Sequence, residues 1–355
     1  MFFEGVRRLT PTHSRWGPPK GLFSAYQMLQ EHKVTGRIFY DSQQRPQMGS
    51  DSLRALSKLD QDQFQPWPFF WTRHDEARLV GPTLIMQDEA KRICLEAAYY
   101  ELCLPHEPGY RYLKLPRPIR LEGNWASLIS QWTDTFHHWM MDALPRLAAL
   151  PEFPADTRVL VPPKLLPYQS DTLRWLGLDG RVRGTRERHL VVEHFFFSSP
   201  TAMSGCYNPY AVNFLRRSFL KYADPAYEAP RRFYVQRLGK PRGLINEPEV
   251  VDFFKQHGWS IVDTEQLPMA QQVKLFAEAD VICALHGAAL TNLVWCRTGC
   301  KVLEICAANF LNGVYEGLAQ AAGLDYRFLI CEADASFRAR VNMTELRREV
   351  DLWLS

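Results

Sequence analysis

The residues best suited to chemistry lie between Ala279 and Ile305, ADVICALHGAALTNLVWCRTGCKVLEI. Val281 to Leu285 is uncharged and apolar, as a strand covered on both sheet faces must be. It runs into His286-Gly287-Ala288-Ala289, a turn of small residues, then into a helix-compatible stretch, Leu290 to Cys296, which Gly299 breaks. Backbone without bulky side chains can approach a ligand closely, and the unpaired N–H groups that open a helix favour an anion, most often a phosphate. Gly287 and Ala288 would supply those amides. His286 would donate to a phosphate leaving group. Asn292 is either a local hydrogen-bonder or a ligand contact. Glu304 closes the next strand, Val302 to Ile305, where a carboxylate can accept hydrogen bonds from a ribose. The segment therefore reads as the diphosphate and ribose site of a nucleotide.

Two further groups carry chemistry. Arg237, Lys240, Arg242 and Asn246 cluster in RLGKPRGLIN, after a predicted strand and at the same sheet edge as His286. Arginine grips phosphate oxygens bidentately and stays charged at any working pH; the plain alternative is a solvated basic loop. In FHHWMMDALPR, His138, Asp142 and Arg146 recur at intervals of four and share a helix face. A histidine beside a carboxylate suits removal of a proton from an acceptor hydroxyl. The alternatives are an Asp142–Arg146 ion pair, core histidines, or a metal held by His137, His138 and Asp142, for which no second cluster has ligand spacing. Asp60-Gln61-Asp62 is formally a D-x-D triplet but sits in a polar stretch and reads as a turn. The basic run Arg181 to Arg188 reads as a solvated loop, with an anionic acceptor or a membrane surface as the minority reading.

The elements that must position these residues alternate. Arg158–Val161 and Leu190–Phe197 are predicted strands; Phe136–Leu150 (kinked by Pro145), Tyr168–Leu176 and Pro209–Tyr222 are predicted helices. After Ala223 to Arg232, the best linker, the strands Phe233–Arg237, Trp259–Asp263, Val281–Leu285, Val302–Ile305 and Tyr326–Ile330 alternate with helices Glu247–His257, Pro268–Ala279, Leu290–Cys296 and Leu311–Ala322. That pattern predicts a doubly wound α/β fold, with ligands outside the carboxyl ends of the strands. The predicted division is an acceptor-side domain over residues 1–225, of which 1–120 are hard to read, a nucleotide-binding Rossmann-like domain over 230–335, and a tail, 336–355. Its helix, Thr344–Leu354, is expected to cross back onto the first domain.

The 355 residues suit roughly two domains. A net charge of +3 is too small to argue for nucleic acid. No apolar run approaches the roughly 18 residues of a membrane span, and Glu4, Arg7 and Arg8 interrupt any signal-peptide core. The eight cysteines include no C-x-x-C pair, which predicts reduced thiols and a cytoplasmic protein.

Tyr234-Val235-Gln236-Arg237, Arg242, Ile245-Asn246-Glu247, Leu267, Gln272, Ala279-Asp280, His286-Gly287-Ala288-Ala289-Leu290-Thr291-Asn292 and Leu303-Glu304-Ile305 together resemble the C-terminal half of glycosyltransferase family 61. His138, Trp139, Asp142, Pro145, Arg146 and Leu147 also resemble the family's N-x-x-H-W-x-x-D-x-x-P-R-L pattern, with Thr135 in place of the leading Asn. The likeness covers about a hundred C-terminal residues and nothing before residue 120. It implies a GT-B-like fold of two Rossmann-type domains facing across a cleft, a nucleotide-sugar donor (UDP above all), inversion at the anomeric carbon, and no required metal or other cofactor. It also implies a glycan or glycolipid acceptor, as in the bacterial capsular-polysaccharide branch, and peripheral contact with the inner membrane. His138 or Asp142 is the expected base. Arg237, Arg242, Asn246, His286, Gly287, Ala288, Asn292 and Glu304 are the expected donor-binding residues. The rival readings are a catalytically silent nucleotide-binding partner and a metal-dependent hydrolase centred on His137, His138 and Asp142.

Overall fold

A computed structural model of the chain describes residues 13–15, 20–40, 67–98, 114–201, 205–237, 239 and 241–354. Lys240 and the Asp60-Gln61-Asp62 triplet lie outside the described residues. The chain forms two compact units. The first draws on residues up to 40, 68–166 and 178–200, and the second on 67, 167–177 and the chain from 201 onward.

The first unit contains β1 (His13–Arg15), β2 (Gly21–Phe23), β3 (Gly36–Tyr40), β4 (Phe69–Val80), β5 (Ile85–Gln87), β6 (Arg92–Cys94), β7 (Lys114–Pro116), β8 (Ile119–Ser127), β9 (Arg158–Val161), β10 (Val182–Gly184) and β11 (His189–Ser198). Its main sheet has the order β10-β9-β8-β11-β4-β5-β6-β2, with β3 also on β4, while β1 and β7 pair separately. The run β10-β9-β8-β11 is parallel, and β4, β5 and β6 continue it antiparallel. The sheet is therefore mixed, not wholly parallel as the alternation after residue 134 predicts. The antiparallel part comes from the poorly legible first hundred residues, where turns too short for a helical crossover join successive strands. Part of the basic run expected as a loop is strand β10, at the sheet edge.

The expected helix Phe136–Leu150 is present with changing gauge: α-helix over Phe136–His138, π-helix over Trp139–Ala143 and 3-10 helix over Leu144–Glu152. Pro145 lacks the N–H that an unbroken α-helix would direct at Met141, so the spacing of the turns changes before it.

The second unit contains β12 (Arg232–Val235), β13 (Ser260–Val262), β14 (Val281–Leu285), β15 (Lys301–Ala307), β16 (Asp325–Ala333) and β17 (Ala339–Arg340) in the order β13-β12-β14-β15-β16-β17. The first five are mutually parallel, and only β17 runs antiparallel. Helices cover both faces, as a doubly wound sheet needs. Tyr234, Cys283, Leu285, Leu303 and Ile305 pack with Phe253 and Phe254 of helix Glu247–Gln256 on one face. On the other, Phe233 meets Phe276 of helix Met269–Glu278 with ring centroids 5.3 Å apart. Helix Val314–Ala322 ends at Gly323, whose φ of 73° is the left-handed stop that glycine supplies at least cost.

Two expectations about organisation are corrected. The division falls at residues 200–201, not in the 223–232 linker, because helix Pro209–Phe219 belongs to the second unit. Phe219 lies 6.0 Å from the Trp295 ring, and Arg216 donates to the carbonyls of Val294 (2.7 Å), Cys296 (2.5 Å) and Ala322 (3.2 Å). Helix Met343–Leu354, expected to return to the first domain, instead buries Leu346 and Val350 in the core of the second unit.

Arg216→Met keeps much of the side chain's length and removes all of these donors, leaving three carbonyls short of a partner. The expected loss is about 2–4 kcal/mol of unfolding free energy, read from the urea midpoint. An unchanged midpoint would show that the clamp contributes nothing.

Candidate active site

In the first unit the histidine–carboxylate pair forms as its spacing predicts. His138 Nδ1 and Asp142 Oδ2 lie 2.5 Å apart. Asp142 is buried, and its Oδ1 has no hydrogen-bond partner. With Nδ1 held by the carboxylate, Nε2 is the ring nitrogen left to exchange a proton. Burial opposes the imidazolium, but the hydrogen bond and charge of Asp142, aided by Asp134, outweigh it and raise the His138 pKa above the ordinary histidine value. Arg146 is buried and donates through Nε to the Ser198 carbonyl at 3.1 Å, which braces this helix against β11. The His137 ring meets His138 edge-on at 5.3 Å. Among the described residues no three His, Cys, Asp or Glu side chains are grouped to hold a metal ion, so the hydrolase alternative lacks its ligand set.

Sequence reading missed Trp132. It is 46% exposed, has a φ of 63°, and tilts over His138 with centroids 5.2 Å apart. Nothing in its local pattern distinguishes it from an ordinary loop aromatic.

In the second unit, Arg237, Arg242, His286 and Gly287 gather above the carboxyl ends of β12, β14 and β15. Arg237 Nη1 donates to the His286 carbonyl at 2.7 Å. Its backbone N–H donates to Glu247 Oε1 at 2.5 Å, and that same oxygen accepts from Tyr234 Oη at 3.1 Å. Glu247, buried in the first turn of its helix, thus fixes where Arg237 leaves the strand. Gly287 is extended, and the Arg237 guanidinium lies against its Cα: a Cβ there would strike Nη1 and lie 3.2 Å from Cζ, so a side chain at this position would displace the guanidinium. Arg242 sits 4.8 Å over the Phe310 ring with a φ of 56°. Burial and the neighbouring Arg242 charge both depress the Arg237 pKa, so two cations are held together. Two neighbouring guanidinium groups, with Glu265 and Glu247 acting on Arg237 in the opposite sense, suit the binding of an anion. Ala288, exposed, opens the 3-10 helix Ala288–Trp295, where first-turn amides have no partner within the helix.

Glu304 is placed differently from expectation. β15 runs on to Ala307, so Glu304 lies inside the strand and is fully buried. One carboxylate oxygen meets His286 Nδ1 and the other accepts from Tyr326 Oη. With both oxygens engaged and no exposure, it orients His286 rather than touching a ribose. Burial and the Glu304 charge raise the Tyr326 pKa, so the phenol remains a donor. Tyr315, 5.1 Å from the His286 ring, is likewise held neutral by burial and Glu304.

The two asparagines serve the scaffold. Asn246 donates to Glu249 (2.9 Å) and the Val341 carbonyl (3.0 Å) and accepts the Val341 N–H (2.9 Å). Asn292, buried, donates to Gln272 (3.0 Å) and the Ala289 carbonyl (3.1 Å) and accepts from Trp295 Nε1 (3.0 Å). Of the alternatives left open for Asn292, the local hydrogen-bonder is the one found. Glu247, Tyr315 and Tyr326 were not predicted as site residues; only the Asn246-Glu247 doublet carried any signal.

Residues 136–303 match the family described as Glycosyltransferase 61. Over 139 residues the chain is 26% identical to the EGF domain-specific O-linked N-acetylglucosamine transferase of Drosophila melanogaster, a match covering 37% of this chain and 26% of that relative. The chain thus aligns with about a quarter of the length of this relative. Over the segment that holds His138, Asp142, Arg237 and His286, the chain is thus similar to glycosyltransferase family 61.

Proposed function

We propose that this chain is an inverting glycosyltransferase that moves a sugar from a nucleotide-diphosphate donor, UDP-linked, to a hydroxyl of a glycan or glycolipid acceptor. The single observation that carries the reading is the gathering of Arg237 and Arg242 at His286-Gly287, in the second unit and inside the family-matched segment, which also contains the His138–Asp142 dyad. On this reading the second unit is the donor-binding, Rossmann-type domain of a GT-B-like enzyme, and the first unit, with its mixed sheet, is the acceptor-side domain. The setting is bacterial polysaccharide synthesis in the cytoplasm, with peripheral contact to the inner membrane. Among the described residues no helix is long and apolar enough to cross a membrane.

The step balances simply. The acceptor hydroxyl gives its proton to His138 Nε2 while its oxygen bonds the anomeric carbon. The bond from that carbon to the diphosphate oxygen breaks, and the electron pair leaves with the diphosphate. Asp142 holds the imidazole in the competent tautomer and stabilises the imidazolium that forms. Arg237, Arg242, the Gly287 and Ala288 amides and His286 Nε2 stabilise the charge gathering on the leaving group. In this mechanism the arginines supply the charge compensation that a divalent cation supplies elsewhere, and no metal is required.

Nucleotide release from a panel of UDP-sugars with glycan acceptors tests the reading. Turnover is expected, with His138→Ala losing about 10²-fold or more. Turnover surviving intact in both His138→Ala and Asp142→Ala would remove the dyad. A silent nucleotide-binding partner would bind the donor and show no slow donor hydrolysis.

The raised His138 pKa fixes the sign of the pH dependence. The base must be neutral, so the rate is expected to rise with pH, with its midpoint above the ordinary histidine value of 6.5. Asp142→Asn removes the raising charge and leaves the lowering effect of burial, so the rising limb should move to lower pH as kcat falls. A limb that stays in place would assign the titration to another group.

Gly287→Ala forces a methyl onto the Arg237 guanidinium. It is expected to weaken donor binding by at least roughly tenfold, with less than about 1 kcal/mol lost in unfolding free energy. Calorimetric titration with UDP, beside a urea melt, reads both. Wild-type affinity would place Arg237 outside the donor site.

A further inference from the structure

The anion cradle continues into an aromatic ledge that the mechanism above does not use. Phe310 lies 5.6 Å from the His286 ring on one side and 5.7 Å from the Phe337 ring on the other, with Arg242 over it. Phe337 is 41% exposed. Its φ of 61° is one a bulky side chain adopts only under strain, and Arg242 at 56° shares that conformation. Two non-glycine residues in left-handed backbone therefore meet the same ring.

The ledge is built rigidly. Asp334 accepts from the N–H groups of Ser336 and Arg338 and from the Arg338 side chain, while the Phe337 N–H donates to the Asp334 carbonyl, so the turn between β16 and β17 holds Phe337 in place. Asn309 donates to the Asp334 carbonyl at 2.9 Å, tying the Phe310 loop to this turn. Ile245 N–H to Ala339 O (2.7 Å) and Ala339 N–H to Gly243 O (3.3 Å) tie in the Arg242 loop. Three loops are thus joined around one ring, outside the carboxyl ends of parallel strands, where such sheets bind ligands.

We propose that Phe337, backed by Phe310, is the stacking face for the nucleobase of the donor, one step along from the diphosphate at Arg237 and Arg242. This rests on the reading of the cradle as a nucleotide-diphosphate site. A planar, neutral base gains from an aromatic face and needs no charge to do so, and phenylalanine offers nothing else. The left-handed backbone at Phe337 goes with a ring left 41% exposed beside Phe310.

Calorimetric titration of UDP and of inorganic pyrophosphate into the full chain tests the proposal. Phe337→Ala is expected to weaken UDP roughly tenfold to a hundredfold and to leave pyrophosphate affinity unchanged, whereas Arg242→Ala weakens both ligands. Phe337→Gly, which relieves the left-handed backbone, is expected to raise the thermal midpoint and still lose UDP, separating loss of the ring from loss of the fold. Wild-type UDP affinity in Phe337→Ala and Phe337→Gly would overturn the base site while leaving the diphosphate site standing. A wild-type chain that binds neither UDP nor pyrophosphate would overturn the cradle and the ledge together.

Discussion

A carboxylate buried inside a parallel sheet is costly unless both of its oxygens are matched, and much of the second unit's architecture follows from matching Glu304. His286 supplies one partner from the end of the neighbouring strand, and Tyr326 supplies the other from the strand beyond. That arrangement fixes the imidazole. The His286 N–H also donates to the Ile305 carbonyl at 2.9 Å, which anchors the backbone on one side of this residue, and its own carbonyl receives Arg237 on the other. The guanidinium then occupies the space a side chain would take at the next residue, which is glycine. The chain of cause runs from one buried charge through a histidine to the position of an arginine.

The first unit reaches a related result locally. His138 and Asp142 are partners within one helix, straddling its change from α to π gauge. Their pairing needs no strand register and survives the irregular helix because both flank the junction. The two histidines therefore differ in what holds them: one depends on a sheet being assembled, the other on a single turn of backbone.

This difference explains what was legible. Spacing of four found His138 and Asp142, and an uncharged run found Val281–Leu285, since both are local patterns. Glu304 was found as a residue and misjudged in role, because the length of β15 decides whether a carboxylate near its end is buried, and Ile305 looked like that end. Asn246 and Asn292 could not be sorted from ligand contacts, since an amide serving Val341 or Trp295 looks the same in sequence as one serving a substrate. The central strand β4 went unread because FFWTRHDEARLV carries charges that resemble a loop. Several are matched across the sheet: His194 meets Asp75 at 2.7 Å, and Arg120 pairs with Glu76. Trp132, Phe310 and Phe337 had no local signal at all, since their significance comes from ring neighbours distant in the chain or from backbone conformation.

The ends of the second sheet have a consequence of their own. Its outermost strands are the shortest in it: β13 has three residues and β17 two, the latter turned antiparallel. A growing cross-strand ladder needs a longer row of open amides and carbonyls than either border presents. The apolar interior strands that make this half so readable are thus bordered in their own sheet by edges that offer little backbone for another chain to pair with.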